Sequence, residues 1–434
     1  MKIETYYKIL EYLKSVIQGR EFEGHVYSVG GCERDKHLGL KEIKDIDLVV
    51  DLPNNSGIRF ANWLYSIGLT ISKPVVYENF GTAMFKLSAF PDEEIEVVHT
   101  RKEIYRDKNS RNPETDYGTI NEDCFRRDFT INALYHNIST NEDFDLTGLG
   151  LIDLEQGIIR TCNEPNITMN DDSLRIMRAI RFSSKLGFKI NEDTLKGIVN
   201  NVKRLEIISK ERITDEFNKI LLSAHPAWGL MLLAQYGILE VIMPDYKVRG
   251  KYSDVLYRIS KLKETDYYTL ETALGMFFVN GLVDTNIKDY ILRDFKYSND
   301  IIKEVSLYAD NARGVEYACA MKFAAKIREL AKVCGDKEHF NKLVAVAKAN
   351  EVNGGKDYFK FLDEVSDIDM MFGYKLPVDG NDIMDVLEIG PCKEIKVILD
   401  KLMEKAYENP KITRSECMKL IIEYGKEIKD NEWK

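Results

Sequence analysis

The segment that decides the fold reads Val26-Tyr27-Ser28-Val29-Gly30-Gly31-Cys32-Glu33-Arg34-Asp35 and is followed by Lys44-Asp45-Ile46-Asp47-Leu48-Val49-Val50. The second run alternates acidic and apolar residues with period two, so on a strand both carboxylates point to one face and the apolar side chains to the core. In the first run an apolar stretch ends in two glycines, which let a backbone come close to a phosphate, and Arg34 completes such a site. Together the two runs predict strands of an α/β head that presents carboxylates beside a phosphate-binding loop.

The paired carboxylates are typical of a divalent cation site. Asp45 and Asp47 repel each other on one strand face, and a bridging divalent cation relieves that repulsion. The same Asp-x-Asp spacing recurs at Asp143 and Asp367, so the tripeptide alone is also consistent with ordinary acids. The Gly-Gly pair alone is consistent with a hairpin turn, but a turn does not explain the Arg34 that follows it.

Short strand patterns and helical patterns alternate through the first third of the chain, which indicates an α/β head. The predicted strands are His25–Val29, Ile46–Leu52, Val75–Val76 continuing into Thr82–Leu87, and Glu94–Val98, and the predicted helices are Lys2–Ile17 and Gly57–Ser66. From Asp171 onward the pattern is helical, for example at Asp193–Val202, Lys210–Ser223 and Lys322–Val333. The sequence therefore predicts an α/β head followed by a long helical body.

The charge of the chain is unevenly distributed. The 434 residues carry 61 Lys plus Arg against 71 Asp plus Glu, a net charge of −10. One hydrophobic core does not grow to this length, so two or more domains are expected, and the acidic total argues against a non-specific polyanion binder. Between Arg175 and Arg212, however, ten basic residues stand against four acidic ones. A polyanionic partner is therefore expected along the middle of the chain.

The cysteines and apolar segments bear on the cellular setting. The seven cysteines are scattered, odd in number and without a Cys-x-x-Cys pair, which argues against a disulfide framework or a thiolate zinc site. The N-terminus mixes charges into a helical pattern and has no apolar signal segment. The most apolar run, Gly229–Met243, contains Gln235 and Glu240 and is too short to span a bilayer. These features predict a cytoplasmic protein with no membrane partner.

Several motifs together resemble the class II nucleotidyltransferases, the family of tRNA CCA-adding enzymes and bacterial poly(A) polymerases. In chain order they are Gly30–Asp35 with Leu38-Gly39, Asp45–Leu48, Phe80–Ala83, Glu96–Tyr105, Arg126–Leu134, Asp145–Arg160 and Asp172–Phe182. The resemblance implies an α+β protein in which a polymerase-β-like nucleotidyltransferase head precedes an all-helical neck, body and tail. It implies a catalytic head at 1–140, a neck for base selection at 141–205, a body at 206–310 and a tRNA-binding tail at 311–434.

The resemblance also implies a reaction, in which a tRNA 3′-hydroxyl attacks the α-phosphate of CTP or ATP, pyrophosphate leaves and two Mg²⁺ assist. It assigns Asp45 and Asp47 as metal ligands. A third carboxylate is useful in such a site, and Glu96 lies in a suitable strand pattern, although an exposed strand acid is the simpler alternative. The residues placed around the triphosphate and ribose are Gly30, Gly31, Arg34, Arg127, Asp128 and Asn132. For the last three, spacing alone favours a helix start with a surface ion pair.

The segment Asp172–Phe182 predicts a helix with a base-selecting face. At about 100° per residue its apolar residues form one face, Arg175, Arg178 and Arg181 lie opposite, and Asp172 lies about 60° from Arg175. Cytosine and adenine both present an amine donor beside a ring-nitrogen acceptor, whereas uracil and guanine present a carbonyl oxygen where the amine would be. One carboxylate with one guanidinium therefore selects CTP and ATP. A solvated helix face with ion pairs is the alternative.

The chain departs from the family pattern at two positions. Asp171 stands where Glu is usual, and Glu33 stands where an apolar residue commonly precedes the first arginine, so we expect Glu33 to turn away from the phosphate site. The segment Gly380–Met384 resembles the tail of bacterial CCA-adding enzymes and favours tRNA over poly(A) synthesis, and Arg106–Asp123 suits the mobile loop of complete CCA-adding enzymes. The alternatives are a poly(A) polymerase, a partial A-adding or CC-adding enzyme, and an inactive RNA-binding module on the same fold.

Overall fold

The structure is a computed structural model that describes residues 1–78, 81–104, 114–248, 250–279, 285–351 and 357–431. The helices are α1 Ile3–Ile17, α2 Gly31–His37, α3 Ser56–Ser66, α4 Ile120–Arg126, α5 Gly150–Gln156, α6 Pro165–Asp171, α7 Leu174–Leu186, α8 Glu192–Asn201, α9 Lys210–Leu221, α10 Pro226–Gln235, α11 Ile238–Ile242, α12 Tyr252–Lys263, α13 Leu270–Phe277, α14 Thr285–Asp294, α15 Asn299–Ala320, α16 Ala324–Cys334, α17 Lys337–Asn350, α18 Phe361–Glu364, α19 Gly380–Leu387, α20 Lys393–Glu408 and α21 Arg414–Asn431. The strands are β1 Val26–Val29, β2 Ile46–Val50, β3 Val75–Tyr77, β4 Thr82–Leu87, β5 Phe90–His99, β6 Arg101–Ile104, β7 Glu114–Tyr117, β8 Leu134–Asn137, β9 Glu142–Asp145, β10 Ile158–Ile159 and β11 Lys189–Ile190.

The chain divides into two compact units, Met1–Ile242 and Met243–Lys434. The first unit contains every strand of the described residues and helices α1 to α11, and the second contains helices α12 to α21. An α+β head followed by helical segments is therefore confirmed. The finer division at residues 140, 205 and 310 stays a prediction.

The first unit is built on a seven-stranded sheet of order β3-β4-β5-β2-β1-β8-β9. Strands β2 and β5 are parallel, and the other neighbouring pairs are antiparallel. Ile46, Leu48 and Val50 pack into one buried cluster with α1 and α3, while Val49 belongs to a second buried cluster. Alternate residues of β2 therefore pack into this core from one face of the sheet, and Asp47 lies on the opposite face, as alternation along a strand requires.

The predicted neck is mostly helical but also contains short strands. Strand β9 completes the edge of the large sheet, and β10 pairs in parallel with β11. Gly157 precedes β10 with a φ of 68°, a left-handed conformation that ends α5 and redirects the chain into the strand. Because each of these two strands has only two residues, period-two alternation does not detect them.

In the second unit, helix α15 packs against α13, α16 and α17, and a separate buried cluster joins α19, α20 and α21. Ile383, Ile398, Leu402 and Ile421 form the centre of that cluster. Across the described parts of the chain, no helix is both long enough and apolar enough to cross a membrane.

Candidate active site

One cavity of about 830 Å³ collects most of the predicted site residues. Ten of them line it, and these are Gly30, Gly31, Arg34, Asp45, Asp47, Arg127, Asp128, Asn132, Arg178 and Arg181. All ten belong to the first unit, and they come from four separate stretches of chain. Residues 106–113 of the predicted mobile loop, and Phe80 and Tyr105 of two motifs, lie outside the described residues.

The turn from β1 into α2 forms one wall of the cavity. Gly30 has a φ of 85°, a conformation that disfavours any side chain, and a Cβ at this position would lie 3.7 Å from Asp47 Oδ2. Four residues on, Arg34 is almost fully buried, and its Nη1 donates to Asn132 Oδ1 at 2.6 Å. Its Nη2 also lies 2.7 Å from Asp35 Oδ1. These contacts hold the guanidinium against the loop, where its remaining donor capacity suits a phosphate.

The carboxylates lie on neighbouring parallel strands. Asp47 of β2 is in register with Glu96 of β5, and Asp45 lies just before β2 begins. Burial raises the pKa of Asp47 to about 6, Glu96 and Asp45 add to the rise, and Arg127 opposes it. The pKa of Glu96 is also raised, by burial and by Asp45, against an opposing effect of Arg101. A group of carboxylates whose charges add to the pKa rise of a buried neighbour forms a site that a divalent cation stabilises.

A buried acid that the sequence analysis missed supports Arg127. Asp123 of α4 is fully buried, and its Oδ2 accepts from Arg127 Nη2 at 3.0 Å and from the Tyr135 hydroxyl at 2.8 Å. Its Oδ1 lies 2.5 Å from Arg126 Nη2. Burial alone would raise the pKa of Asp123, but Arg127 and Arg126 outweigh burial and hold that pKa well below its usual range. The position of Arg127 in the cavity therefore depends on a buried charge that is not among the residues lining the cavity.

Asp128 connects the head to helix α7. Its Oδ2 lies 2.6 Å from Arg178 Nη2, and its Oδ1 accepts from Asn132 Nδ2 at 3.1 Å. Burial would raise the pKa of Asp128, but Arg178 and Asn132 lower it to about 2. The carboxylate is therefore ionised at neutral pH, and an ionised carboxylate is suited to accept a hydrogen bond from a ribose hydroxyl.

The two residues predicted to read the base, Asp172 and Arg175, are not among those that line the cavity. Asp172 Oδ2 accepts from Arg212 Nη2 at 3.0 Å, and its Oδ1 accepts from the Leu174 amide. Arg175 donates to the backbone carbonyls of Arg126 at 2.7 Å and Thr168 at 3.1 Å. Asp172 lies between α6 and α7, and Arg175 lies in the first turn of α7, the same helix that carries Arg178 and Arg181 into the cavity.

Further cavity residues come from helices α7 and α9. Arg181 Nε lies 2.5 Å from Glu216 Oε2 of α9, and its guanidinium lies 4.1 Å from the centre of the Phe182 ring. Lys185 and Lys219 also line the cavity. The signal for Lys185 was present in the sequence, because it follows Arg178 and Arg181 at intervals of seven and four residues on one helical face. Lys219 and Glu216 lack any such signal.

Glu33 turns away from the cavity, as expected. Its carboxylate is fully buried and accepts from the hydroxyls of Tyr6 and Ser28, and Lys36 Nζ lies 2.5 Å from Oε2. Among the described residues, Glu33, His136 and Asp143 also form the three-residue group with potential metal-ligand atoms within 4.8 Å of one another. Lys36 Nζ lies 2.8 Å from Asp143 as well. The ammonium group of Lys36 therefore supplies the positive charge in this cluster.

Comparison with protein families agrees with this site. The Poly A polymerase head domain matches residues 26–160, and a domain described as "Probable RNA and SrmB- binding site of polymerase A" matches residues 187–248. The fold and the site thus define a nucleotidyltransferase.

Individual relatives narrow the class. A CCA-adding enzyme of Pediococcus pentosaceus is 30% identical to this chain over 90% of this chain and 91% of its own length. A CCA-adding enzyme of Limosilactobacillus reuteri is 32% identical over 70% of this chain and 72% of its own length. A solved CCA-adding enzyme in an apo form covers 96% of this chain and 95% of its own, with a TM-score of 0.71 at 23% identity. The structure of the Thermotoga maritima CCA-adding enzyme complexed with tRNA covers 97% of this chain and 95% of its own, with a TM-score of 0.66 at 22% identity. The chain belongs to the CCA-adding enzyme family.

Proposed function

We propose that this enzyme adds C, C and A to the 3′ end of tRNA from CTP and ATP, without a nucleic-acid template. The observation that carries the proposal is the single cavity in which Asp45 and Asp47 lie beside Gly30, Arg34 and the basic face of α7. The relatives named CCA-adding enzymes, one of them solved with tRNA, support the same substrates for this chain. A cytoplasmic setting stays a prediction from the composition.

The enzymes of this family use divalent metals, and we propose Mg²⁺ held by Asp45 and Asp47, with Glu96 as a further ligand. The donor set fits Mg²⁺, because it consists of carboxylate oxygens and leaves positions for water and substrate phosphates. The raised pKa of Asp47 also fits, because burial and the neighbouring carboxylates Glu96 and Asp45 disfavour its charge, which a bound divalent cation would stabilise. Bound Mg²⁺ would lower the pKa of the attacking 3′-hydroxyl and neutralise charge on the leaving pyrophosphate.

The chain's own residues position the reactants. Arg34 and the backbone at Gly30 and Gly31 hold the triphosphate, and Arg127 and Asp128 hold the phosphate and ribose. The 3′-oxygen of the tRNA forms a bond to the α-phosphorus, the bond to the pyrophosphate oxygen breaks, and the proton of the 3′-hydroxyl passes to solvent. Since the protein takes no covalent part, the rate enhancement comes from positioning and electrostatic stabilisation.

We propose that Asp172 and Arg175 select the base. A carboxylate oxygen has two lone pairs, so Asp172 Oδ2 accepts from a cytosine or adenine amine while it keeps its hydrogen bond to Arg212. Because Arg175 is anchored on the carbonyls of Arg126 and Thr168, its orientation is fixed relative to the head. A fixed donor discriminates between bases better than a mobile one.

The direct test offers the enzyme a tRNA that lacks its last three nucleotides, with each NTP alone and in combination. Extension by two nucleotides with CTP and by a third with ATP is expected. A long adenylate ladder would instead identify a poly(A) polymerase, and extension that stops after two nucleotides, or that requires a preformed CC end, would identify a partial enzyme.

A second arm of this test separates catalysis from RNA binding. Asp45→Ala is expected to reduce kcat on the order of a thousandfold, because ligation of the metal is worth several kcal/mol, while tRNA affinity stays within about twofold of the wild type. Asp92→Asn removes an exposed acid of β5 that does not line the cavity and serves as the matched control. Full activity of Asp45→Ala would refute the metal assignment, and an inactive wild type that binds tRNA would identify an RNA-binding module.

A further inference from the structure

The arginine that is predicted to read the base joins the ends of two helices. Arg175 Nη2 donates to the carbonyl of Arg126, the last residue of α4, at 2.7 Å. Its Nη1 donates to the carbonyl of Thr168, one of the last four residues of α6, at 3.1 Å. The last carbonyls of a helix have no partner within the helix and carry the negative end of its dipole, so a guanidinium binds them well. The direction in which Arg175 points therefore depends on where α4 and α6 end.

The side chain of Arg126 fixes the end of α4. Its Nε donates to Asp123 Oδ1 at 3.0 Å and to the backbone carbonyl of Arg101, in β6, at 3.1 Å. Its Nη2 lies 2.5 Å from the same Asp123 oxygen, and Asp123 is fully buried. Since a helix of seven residues is not stable by itself, such tertiary contacts determine where its last residue lies.

These contacts of Arg126 are separate from those that hold the neighbouring arginine in the cavity. Arg126 is not among the residues that line the cavity, whereas Arg127 is. Arg127 Nη2 lies 3.0 Å from the other oxygen of Asp123, and its Nε donates to the Tyr135 hydroxyl at 2.9 Å. Loss of the Arg126 side chain would therefore leave Arg127 with both partners and would act on Arg175 through the end of α4.

We propose that Arg126 is a positioning residue for base selection, because it anchors the end of α4 to Asp123 and β6 and so holds Arg175 in the orientation that favours CTP over UTP. The inference rests on the proposed function, in which Asp172 and Arg175 select the base. It extends that role to a side chain outside the nucleotide cavity. Without this anchor, Arg175 loses one of its two fixed acceptors, and a less fixed donor discriminates less between cytosine and uracil.

The test measures equilibrium binding of CTP, UTP and pyrophosphate by calorimetry, in the presence of Mg²⁺, to the wild type, Arg126→Met, Arg175→Met and the double variant. Arg126→Met is expected to lower the ratio of the Kd for UTP to the Kd for CTP about tenfold and to leave pyrophosphate affinity within about twofold. Because Arg126 acts through Arg175, the ratio for the double variant is expected to equal that for Arg175→Met.

Arg160→Met is the matched control. It also removes an arginine that pairs with a fully buried carboxylate of the first unit, since Arg160 Nε lies 2.9 Å from Asp153 Oδ2, and neither residue lines the cavity. The ratio for this control is expected to match the wild-type ratio. If Arg126→Met does not fold, Arg126→Lys keeps the charge beside Asp123 without the planar fork, and its ratio is expected to fall about threefold.

Three results overturn the inference alone. They are a wild-type ratio in the folded Arg126 variant while Arg175→Met lowers it, equal weakening of CTP, UTP and pyrophosphate by Arg126→Met, and a double variant whose ratio falls below that for Arg175→Met. If Arg175→Met keeps the wild-type ratio, the proposed base selection fails and the inference fails with it. If both arginines set the ratio in an enzyme that adds no nucleotide to tRNA, the inference stands and the proposed CCA addition fails.

Discussion

At the scale of single residues, Asp47 shows a conflict between stability and function. Its pKa in the folded protein is raised from 3.8 to about 6, chiefly by burial and then by Glu96. An acid with a raised folded-state pKa destabilises the fold when ionised, and this cost is largest above pH 6 and fades as the pH falls towards 4. In the absence of metal, the enzyme therefore carries this cost at neutral pH.

Replacing Asp47 by Asn is expected to stabilise the metal-free enzyme while it abolishes nucleotide addition. With EDTA at pH 7.5, the gain in free energy of unfolding is at most about 3 kcal/mol, and it shrinks to about 1 kcal/mol at pH 4.5. Urea denaturation at the two pH values measures the difference, and Asp92→Asn is the control. A stability gain that does not depend on pH, or a loss of stability at pH 7.5, would contradict the assigned pKa.

Asp172 allows a sharper test of base selection than removal of a side chain. Asp172→Asn keeps the shape but offers an amide donor, which suits the carbonyl oxygen of uracil in place of the cytosine amine. The ratio of kcat/KM for CTP to that for UTP is expected to fall about tenfold or more, with unchanged pyrophosphate affinity. Asp193→Asn, an exposed acid of α8, is the control. An unchanged ratio would show that the carboxylate does not contact the base.

At the scale of elements, helix α2 is fixed by a buried polar network on the side away from the cavity. Tyr6 of α1 and Ser28 of β1 donate to Glu33, Lys36 connects Glu33 to Asp143 of β9, and these contacts join α2 to three other elements. Since α2 also carries Arg34 and begins at Gly31, the network orients the predicted triphosphate loop. A buried carboxylate paired in this way is costly to break.

Glu33→Val introduces the kind of residue that the family pattern has at this position. It is expected to lower the free energy of unfolding by about 3 kcal/mol, because Lys36 and two hydroxyl groups lose a buried partner. Lys36→Met is then expected to cost less in the Glu33→Val background than in the wild type. Urea denaturation of the two single variants and the double variant measures this coupling. If the two single losses in free energy of unfolding sum to the loss of the double variant within about 0.5 kcal/mol, Glu33 and Lys36 do not stabilise the fold cooperatively.

The apolar periodicity of the sequence predicted strand β2 and helix α1 closely. Strand β2 and helix α1 differ from the predicted ranges Ile46–Leu52 and Lys2–Ile17 by at most two residues at an end, because each buries a regular apolar face. The turn at Gly30 was predicted because the glycine pair directly follows an apolar run. Spacing also explains why Arg178 and Arg181 were expected on one face of α7.

The contacts between distant segments were not predictable from spacing. Asp123 gave no signal in the sequence, because its role depends on the packing of α4 beside Tyr135. The pairing of Arg181 with Glu216 joins residues 35 positions apart. The hydrogen bonds of Arg175 to backbone carbonyls also escaped prediction, because any residue type supplies a carbonyl. The sequence thus indicated which groups serve the site, and tertiary packing decides where each one points.

At the scale of the whole molecule, binding of a polyanion depends on local charge, because the total of −10 is repulsive. The stretch from Arg175 to Arg212, with ten basic residues against four acidic ones, spans α7, α8 and the start of α9. Several of its cations are paired within the first unit, but Lys203 is exposed, and Lys196 is exposed with only a surface pair to Asp193. Exposed cations of this kind release counterions when they bind RNA phosphates.

Removing Lys196 and Lys203 together is therefore expected to weaken tRNA binding in a salt-dependent way. Each lost phosphate contact lowers the slope of log Kd against the logarithm of the salt concentration by about 0.7 to 0.9. If both lysines contact the RNA backbone, the slope for the double variant Lys196→Met, Lys203→Met is therefore smaller than the wild-type slope by up to about 1.8. Filter binding between 50 and 200 mM KCl measures the slope. Lys8→Met with Lys73→Met removes the same charge from exposed sites within the acidic first 150 residues. If both double variants change the slope equally, net charge governs binding; a change confined to Lys196 and Lys203 shows that an acidic protein binds RNA through one basic stretch.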